Sequence, residues 1–267
     1  MLRSILLLFV LLTISVQASA QLDLLDKKKS TTCVNREFTV MTHLVRDTFG
    51  VIGTQPAAVA SALEILNLWF EPICVTFVSG EVDTIDNFQY WEPLNFNEVE
   101  QIWTNHNKLN RINLYVIGST ANLTFEPVFA TQEGILDPRR GGVLVTNEVI
   151  NDFPLWLVHA FGHYCGLLNT NEAFGEELVN GSNCTTASDE ICDTPADPQD
   201  PAVPLQGLGV YVDEECRFIS TQLDPNREFY VPQTGNLMSY YPYACWCGLT
   251  FEQFERMANL LGRSPLW

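Results

Sequence analysis

Basic residues are scarce in this sequence. Its 267 residues include 14 lysines and arginines against 32 aspartates and glutamates, and the formal net charge at pH 7 is −18. Proteins that bind nucleic acid neutralise phosphates with Lys and Arg, and anionic membrane surfaces attract clusters of the same residues. The charge balance therefore argues against nucleic acid and against an anionic membrane surface as partners.

A second long apolar run is also lacking. The single run, "ILLLFVLL", follows a basic "MLR" start and precedes a small-residue "ASA" pattern that ends at Ala20. These features are typical of a secretory signal peptide, and the run is short for a membrane span of about 20 residues. We expect residues 1–20 to be removed and the protein to be secreted, extracellular or periplasmic, rather than anchored in the membrane.

The sequence has no internal repeat and no low-complexity linker. Its apolar content of 46%, with 11% aromatic residues, is sufficient for a buried core. We expect a loose arm over residues 21–35 and one domain over residues 36–267. Its upper lobe covers about residues 36–166 and its lower lobe about residues 167–267.

Strand and helix patterns are concentrated in the first half. Phe38, Val40 and Leu44 alternate as in a strand, and apolar residues recur at helical spacing over residues 56–70. Thr54 is the predicted N-cap of that helix, and Pro56 lies in its first turn. Further strands are predicted at 75–80, 112–119 and 141–147.

The second half is predicted to be mostly irregular. Residues 169–235 are rich in Asp, Asn, Pro and Gly. Thr250 and Gln253 form a capping box that predicts a final helix with an apolar stripe. These patterns predict an α/β fold class of the α+β kind, in which strands and helices mix in the first half and an irregular lower lobe ends in a C-terminal helix.

Histidine is rare, with four in the chain, and two of them have metal-ligand spacing. His159 and His163 lie one turn apart on a predicted helix that Asp152 and Pro154 can open, so both imidazoles share a face that can hold Zn²⁺. Gly166 permits a left-handed turn after the helix, which can bring Asn169 to the same metal. The other two histidines, His43 and His106, lack ligand spacing.

Three segments of the chain resemble motifs of one enzyme family. "HAFGHYCGLLN" (159–169) is similar to the zinc signature HExxHxxGxxH of the metzincin metalloproteases. "CTTASDEICDTPADP" (184–198) resembles the GDxVxDTP segment of the pappalysin-type metzincins, and "NLMSYYPYACWCGLTFEQFERM" (236–257) resembles their Met-turn and the helix after it. The resemblance covers roughly residues 36–262 and implies a metzincin zincin fold. In that fold a twisted mixed sheet lies in the upper lobe with the active-site helix and a second helix, and the irregular lower lobe is stapled by disulfides.

The resemblance assigns roles, and two key positions depart from it. It implies that zinc is held at the positions of His159, His163 and Asn169, above Met238 of the Met-turn, with Tyr240 near the metal or the oxyanion. The catalytic Glu is replaced by Ala160, which has no acid–base chemistry. The third His is replaced by Asn169, whose amide oxygen is a weaker ligand. Glu172 or Tyr240 could complete a distorted site.

These departures lead to two main expectations. The first is a secreted pseudoenzyme that is catalytically inactive or strongly impaired and that binds a peptide or protein. The alternative is an active zinc metalloendopeptidase that uses His159, His163 and Asn169 with an unidentified base. A disulfide-stapled structural protein is a third interpretation. The oligomeric state is not predicted.

Eight cysteines in an exported chain predict disulfide bonds, although the number does not fix their connectivity. Cys33 and Cys74 could join the first strand to the end of the first helix. The resemblance implies that Cys184, Cys216 and Cys245 take part in disulfides, and it leaves the partner of Cys216 open.

Two further features concern cations and sugars. Residues 169–200 contain eight acids and no Lys or Arg, and they lack an EF-hand pattern. Asp189 and Asp193 match acidic positions that the resemblance places near calcium, although Ser188 replaces the Gly before them.

Asn122, Asn180 and Asn183 begin N-x-Ser/Thr sequons, which are glycosylation acceptors in a cell that glycosylates.

Overall fold

The computed structural model describes residues 30–124, 126–139, 141–172 and 176–267. The predicted signal peptide and most of the predicted arm lie outside this part of the chain. Residues Thr32–Trp267 belong to one compact unit. None of the helices described within it combines the length and apolar character that a membrane span requires.

A five-stranded mixed sheet forms the centre of this unit. The strands are β1 (Arg36–Val45), β2 (Val75–Ile85), β3 (Ile112–Ile117), β4 (Val128–Ala130) and β5 (Val143–Thr146), in the spatial order β2-β1-β3-β5-β4. All pairs are parallel except β4 with β5, which are antiparallel. The sequence prediction of a mixed sheet is therefore confirmed.

Burial explains the sequences of these strands. All six residues of β3 are buried, because the strand lies between β1 and β5 and is covered on both faces. Such strands are near-continuous apolar runs. Sequence analysis placed β1, β3 and β5 correctly, ended β2 too early and did not predict β4. With three residues, β4 is too short to show a periodic pattern.

Five α-helices flank or follow the sheet in the described residues: α1 (Pro56–Phe70), α2 (Phe96–His106), α3 (Asn147–Asn151), α4 (Leu155–Tyr164) and α5 (Phe251–Arg263). Helix α1 buries Val59, Leu63, Leu66 and Phe70 in the main core, as its periodicity predicts. The capping box of Thr250 and Gln253 at the start of α5 is present.

Two local predictions about the helices were wrong, and one helix was missed. The N-cap of α1 is Gln55, because the Thr54 hydroxyl instead donates to Asn147 Oδ1 at 2.7 Å. Asp152 ends α3 rather than opening α4, which Pro154 caps. Helix α2 was not predicted, although the Asn95 side chain accepts hydrogen bonds from two main-chain N–H groups at its start.

Beyond α4 the chain is held by turns and disulfides. The described residues between 165 and 250 form isolated bridges and two short 3₁₀ segments, Pro204–Gly207 and Tyr243–Cys245, which agrees with the predicted irregular structure. The disulfides are Cys33–Cys74, Cys184–Cys192 and Cys216–Cys245. The first pair is as predicted. The partner of Cys184 is Cys192, which the family resemblance did not include, whereas Cys165 and Cys247 are free.

The long-range disulfide Cys33–Cys74 is expected to stabilise the fold more than the short-range one. Replacing both cysteines by Ala should lower the free energy of unfolding by about 4 kcal/mol, because a closure across 41 residues restricts the unfolded chain strongly. The same change at Cys184 and Cys192, 8 residues apart, should cost about 2.5 kcal/mol. Denaturant unfolding of both variants measures the difference, and a reversed order would contradict the chain-entropy explanation.

Candidate metal centre

Helix α4 carries both histidines and ends in a turn that contains Gly166. Gly166 has φ +85°, the Gly166 N–H donates to the His163 carbonyl and the Leu167 N–H donates to the Gly162 carbonyl. This pair of hydrogen bonds forms a Schellman motif, which requires the left-handed conformation that glycine adopts at low cost. The predicted left-handed turn is present, and it folds the chain back beside the helix.

Main-chain carbonyls fix the orientation of both imidazole rings. Nδ1 of His159 lies 2.8 Å from the Leu237 carbonyl, and Nδ1 of His163 lies 2.8 Å from the Leu167 carbonyl. Because a carbonyl oxygen only accepts, both Nδ1 atoms must be donors. The remaining Nε2 atoms lie 3.0 Å apart. At this distance the two Nε2 atoms can share a proton or a metal ion, whereas two bare lone pairs would repel each other.

A third group, Glu126, converges on the same point. Its Oε2 lies 3.5 Å from Nε2 of His159, and the ligand atoms of Glu126, His159 and His163 all lie within 4.8 Å of one another. No other such group of three His, Cys, Asp or Glu residues occurs in the described ranges. Glu126 precedes β4, and the Thr120 hydroxyl donates to its carbonyl at 2.7 Å. Sequence analysis did not identify Glu126.

The spacing of these atoms fits a tetrahedral zinc ion. Zinc–nitrogen and zinc–oxygen bonds of about 2.0–2.1 Å in tetrahedral geometry place neighbouring ligand atoms about 3.3 Å apart. The observed separations of 3.0 Å and 3.5 Å bracket this value. One Glu126 oxygen, Oε1, is buried and has no hydrogen-bond partner in the described structure. The donor set is thus two imidazoles and one carboxylate.

Electrostatics keep two of these donors, Glu126 and His163, ready for a cation at neutral pH. Burial acts to raise the pKa of the Glu126 carboxyl, but the adjoining His159, with contributions from His163 and Tyr240, lowers it to about 2. Burial, assisted by the His159 imidazole, lowers the pKa of His163 to about 4. At pH 7 Glu126 is therefore ionised, and His163 offers an unprotonated nitrogen.

Asn169 and Tyr240 lie beside this centre. The Asn169 side chain donates from Nδ2 to the Tyr240 hydroxyl at 3.4 Å, whereas its Oδ1 is buried without a partner in the described residues. Burial, together with the negative charge of Glu126, raises the pKa of Tyr240, so its hydroxyl stays protonated. Glu172 is close enough to add to this effect, but it does not belong to the convergent group.

Ala160 on helix α4 and Met238 in the segment that packs against this helix both belong to the main core. Ala160 is fully buried in the main apolar core. Met238 is also fully buried, and a Cβ added to Gly162 would lie 2.5 Å from its sulfur. Gly162 thus allows the Met238 segment to approach α4 closely. The residue before Met238, Leu237, provides the carbonyl that orients His159.

Two tryptophans enclose the His159 ring. The Trp246 indole stacks on it with a centroid distance of 5.5 Å and an interplanar angle of 6°, and Trp156 approaches edge-on at 5.1 Å. The imidazole of His159 is fully buried, while His163 is partly exposed. Access to the centre is therefore from the His163 and Tyr240 side.

The remaining candidates lie away from this centre. His43 is buried between Asp83, 2.7 Å from its Nδ1, and Asn113, 3.0 Å from its Nε2. His106 is the last residue of α2. Cys165, two residues after His163, is buried, and burial raises the pKa of its thiol, so it is not available as a thiolate ligand.

Asp189 and Asp193, the two candidate calcium ligands, each have one carboxylate oxygen without a hydrogen-bond partner among the described residues. Asp189 is 1% exposed and accepts two hydrogen bonds at Oδ1, but its Oδ2 is buried without a partner in the described chain. Asp193 Oδ1 has no partner there either. Ser188 has φ +53°, so it adopts the left-handed conformation that the glycine of the resembled motif would take readily.

The chain was also compared with known protein families, curated sequences and solved structures. No protein-family model matches the chain, and no curated protein sequence matches it significantly. Among solved structures, the chain is similar to metalloproteinase-II from Bacteroides fragilis, with a TM-score of 0.38 and 10% identity over 54% of this chain. The match spans 46% of that metalloproteinase, less than half its length. At this level the similarity does not establish a shared activity, so the functional argument depends on the geometry of the centre.

Proposed function

We propose that the protein is a secreted, pappalysin-like metallopeptidase homologue that binds zinc through His159, His163 and Glu126 and has little or no peptidase activity. It would act by binding a peptide or another protein. One observation carries this proposal: the two fixed Nε2 atoms and the ionised Glu126 carboxylate converge at separations that suit zinc. When bound there, zinc would act as a Lewis acid toward a carbonyl oxygen.

The residues around the centre explain the proposed loss of hydrolysis. A peptidase of this type needs a carboxylate that takes a proton from the attacking water. Glu126 is the one carboxylate in the convergent group of the described residues, and it cannot serve as a general base while it binds the metal. Ala160 has no group that could replace it. General acid–base catalysis contributes typically about 10²–10⁴-fold, so its loss is sufficient to suppress turnover.

Peptide binding is supported by the surroundings of Glu126. A cavity of about 290 Å³ lies next to it, lined by the 118–121 segment and by Thr146 and Glu148. The strand after Glu126, β4, is the last in the sheet order, and its outer edge pairs with no other described strand. An extended peptide can add to such an edge through main-chain hydrogen bonds.

A second candidate function is favoured by Asn169. Its Oδ1 is buried and has no partner in the described residues, so it could bind the metal with His159 and His163. Glu126 would then be free to act as the general base, and the protein would be an active zinc metalloendopeptidase. This version differs from the first in the role of Glu126.

Metal content and cleavage assays separate these functions. For the first, purified protein should contain stoichiometric zinc after dialysis and should leave a broad peptide library intact. For the second, the same protein should cleave peptides, and a chelator should stop the cleavage. Protein that binds no zinc under conditions in which it is folded would contradict both.

We also propose that Asp189 and Asp193 bind calcium, together with oxygens of neighbouring main-chain or amide groups. The buried, unpartnered oxygens of both carboxylates support this proposal, since calcium prefers such ligands. The proposal is independent of the zinc centre.

Asp189 gives a pH-dependent test of that proposal. Burial raises its pKa to about 7, above the value in an unfolded chain, so without calcium stability should fall as the pH rises from about 4 to 7. At about 1.4 kcal/mol per pKa unit, Asp189→Asn should gain a few kcal/mol at pH 8 in chelator. Calcium should raise the melting temperature of the parent protein but not of this variant.

Asp200→Asn is a suitable control, because Asp200 lies in the same acidic segment and is only half-buried. This variant should keep the response of the parent protein to calcium. If calcium leaves the melting temperature of the parent unchanged, the calcium proposal fails.

A further inference from the structure

The three glycosylation sequons have different structural environments. Asn122 and Asn180 are exposed, whereas Asn183 is partly buried. A glycan is large and hydrophilic, so a modified amide nitrogen must point to solvent in the folded protein. The hydrogen bonds of each amide therefore decide which sequons can carry a sugar.

The Asn122 amide is available. It lies on the loop between β3 and β4, and its side chain makes no hydrogen bond to any described residue. Two hydrogen bonds hold the described residues around Asn122: the Leu123 N–H donates to the Thr120 carbonyl, and the Thr120 hydroxyl donates to the Glu126 carbonyl. A sugar on Asn122 would extend outward without disturbing these bonds.

The Asn180 amide nitrogen is also available. Its Oδ1 accepts a hydrogen bond from the Ser182 N–H at 3.0 Å, which uses the oxygen and leaves Nδ2 without a partner in the part of the chain described. The intervening Gly181 has φ +69° and open space around its α-carbon. This turn presents the nitrogen to solvent.

The Asn183 amide, by contrast, is part of the local fold. Its Oδ1 accepts from the Leu178 N–H at 2.8 Å, and its Nδ2 donates to the Glu176 carbonyl at 2.9 Å. The next residue, Cys184, is tied to Cys192 by a disulfide. A sugar on Nδ2 would have to fit within this closed turn.

We propose that Asn122 and Asn180 are N-glycosylation sites and that Asn183 is not. The donor is a polyprenyl-diphosphate-linked oligosaccharide. A bond forms between the Asn Nδ2 and the anomeric carbon of the first sugar, and the bond from that carbon to the diphosphate oxygen breaks. The polyprenyl diphosphate leaves with the electron pair, and a base of the transferase takes the Nδ2 proton. The proposal depends on export of the chain and not on the metal centre.

Expression of the full chain in a eukaryotic secretory host tests this proposal. A parallel version carries the leader of the host before residue 21, so that entry into the pathway does not depend on residues 1–20. Enzymatic glycan release in heavy-oxygen water, followed by peptide mass spectrometry, should mark Asn122 and Asn180 as labelled Asp. Asn183 should remain unmodified.

Single Asn→Gln variants provide an independent readout. Asn122→Gln and Asn180→Gln should each remove one glycan from the intact mass, and Asn183→Gln, the matched control, should remove none. A secreted parent protein without sugar at Asn122 or Asn180 would overturn the proposal, as would a glycan at Asn183.

Discussion

Replacing Glu126 by Gln is expected to weaken zinc binding by about 100-fold or more. Loss of an outer-shell partner alone typically costs about 10–100-fold in metal affinity, and a direct ligand should cost at least as much. Glutamine keeps the size of the side chain but replaces an ionised oxygen by a neutral amide, which is a weaker ligand for Zn²⁺. Competition with a chromophoric chelator measures the change in affinity.

Glu172→Gln is the matched control for this experiment. Glu172 also carries a negative charge near Tyr240 but lies outside the group of converging ligands. Its replacement should leave the zinc affinity within a few-fold of the parent value. If Glu126→Gln keeps full zinc affinity and instead abolishes cleavage by an active parent, Glu126 is the general base, and the second candidate function is correct.

Introducing a carboxylate next to His159 is expected to produce peptidase activity. Ala160→Glu places a Glu at the position where the resembled motif has its general base, one residue after the first zinc ligand. Restored general base catalysis should raise peptide cleavage by about 10²–10⁴-fold over the parent protein. Cleavage of a peptide library, with and without chelator, provides the measurement.

Because residue 160 has apolar surroundings, the Ala160→Glu experiment needs a control variant of the same size. Ala160 is fully buried in the main core, so both the folding and the zinc content of a variant with a longer side chain have to be measured. Ala160→Gln has the same size and no acid–base function, and it should bind zinc without cleaving peptides. A folded, zinc-bound Ala160→Glu protein that remains inactive would mean that the missing base is not what suppresses catalysis.

The parts of the fold that sequence analysis found are those with local patterns. The alternation in β1, the periodicity of α1 and the capping box of α5 each depend on residues within a few positions, and each is confirmed. Helix α2 has weaker apolar character, but Asn95 and the spacing of Val99, Ile102 and Trp103 were signals that could have identified it. Cys184, Cys216 and Cys245 do take part in disulfides, but the Cys184–Cys192 pair was not predicted because Cys192 has no place in the resembled family pattern.

The centre itself was predictable only in part. His159, His163 and Gly166 form a local motif, so their shared face follows from helix geometry. Glu126 lies far upstream in a loop and reaches the histidines because β4 pairs antiparallel with β5 at the sheet edge. Nothing in the residues around Glu126 marks it as a ligand, since the approach depends on long-range strand pairing.

The stacking of Trp246 on His159 has a practical consequence for spectroscopy. An indole held parallel to the imidazole of a proposed metal ligand would be a built-in optical reporter, because its emission would respond to a metal bound at the ring beside it. Paramagnetic Co²⁺ or Cu²⁺ bound at that imidazole would quench the fluorescence, and diamagnetic Zn²⁺ would not do so by this route. Occupancy of the centre can thus be followed in the unlabelled protein, and a Trp246→Phe variant identifies the responsible fluorophore among the six tryptophans of the chain.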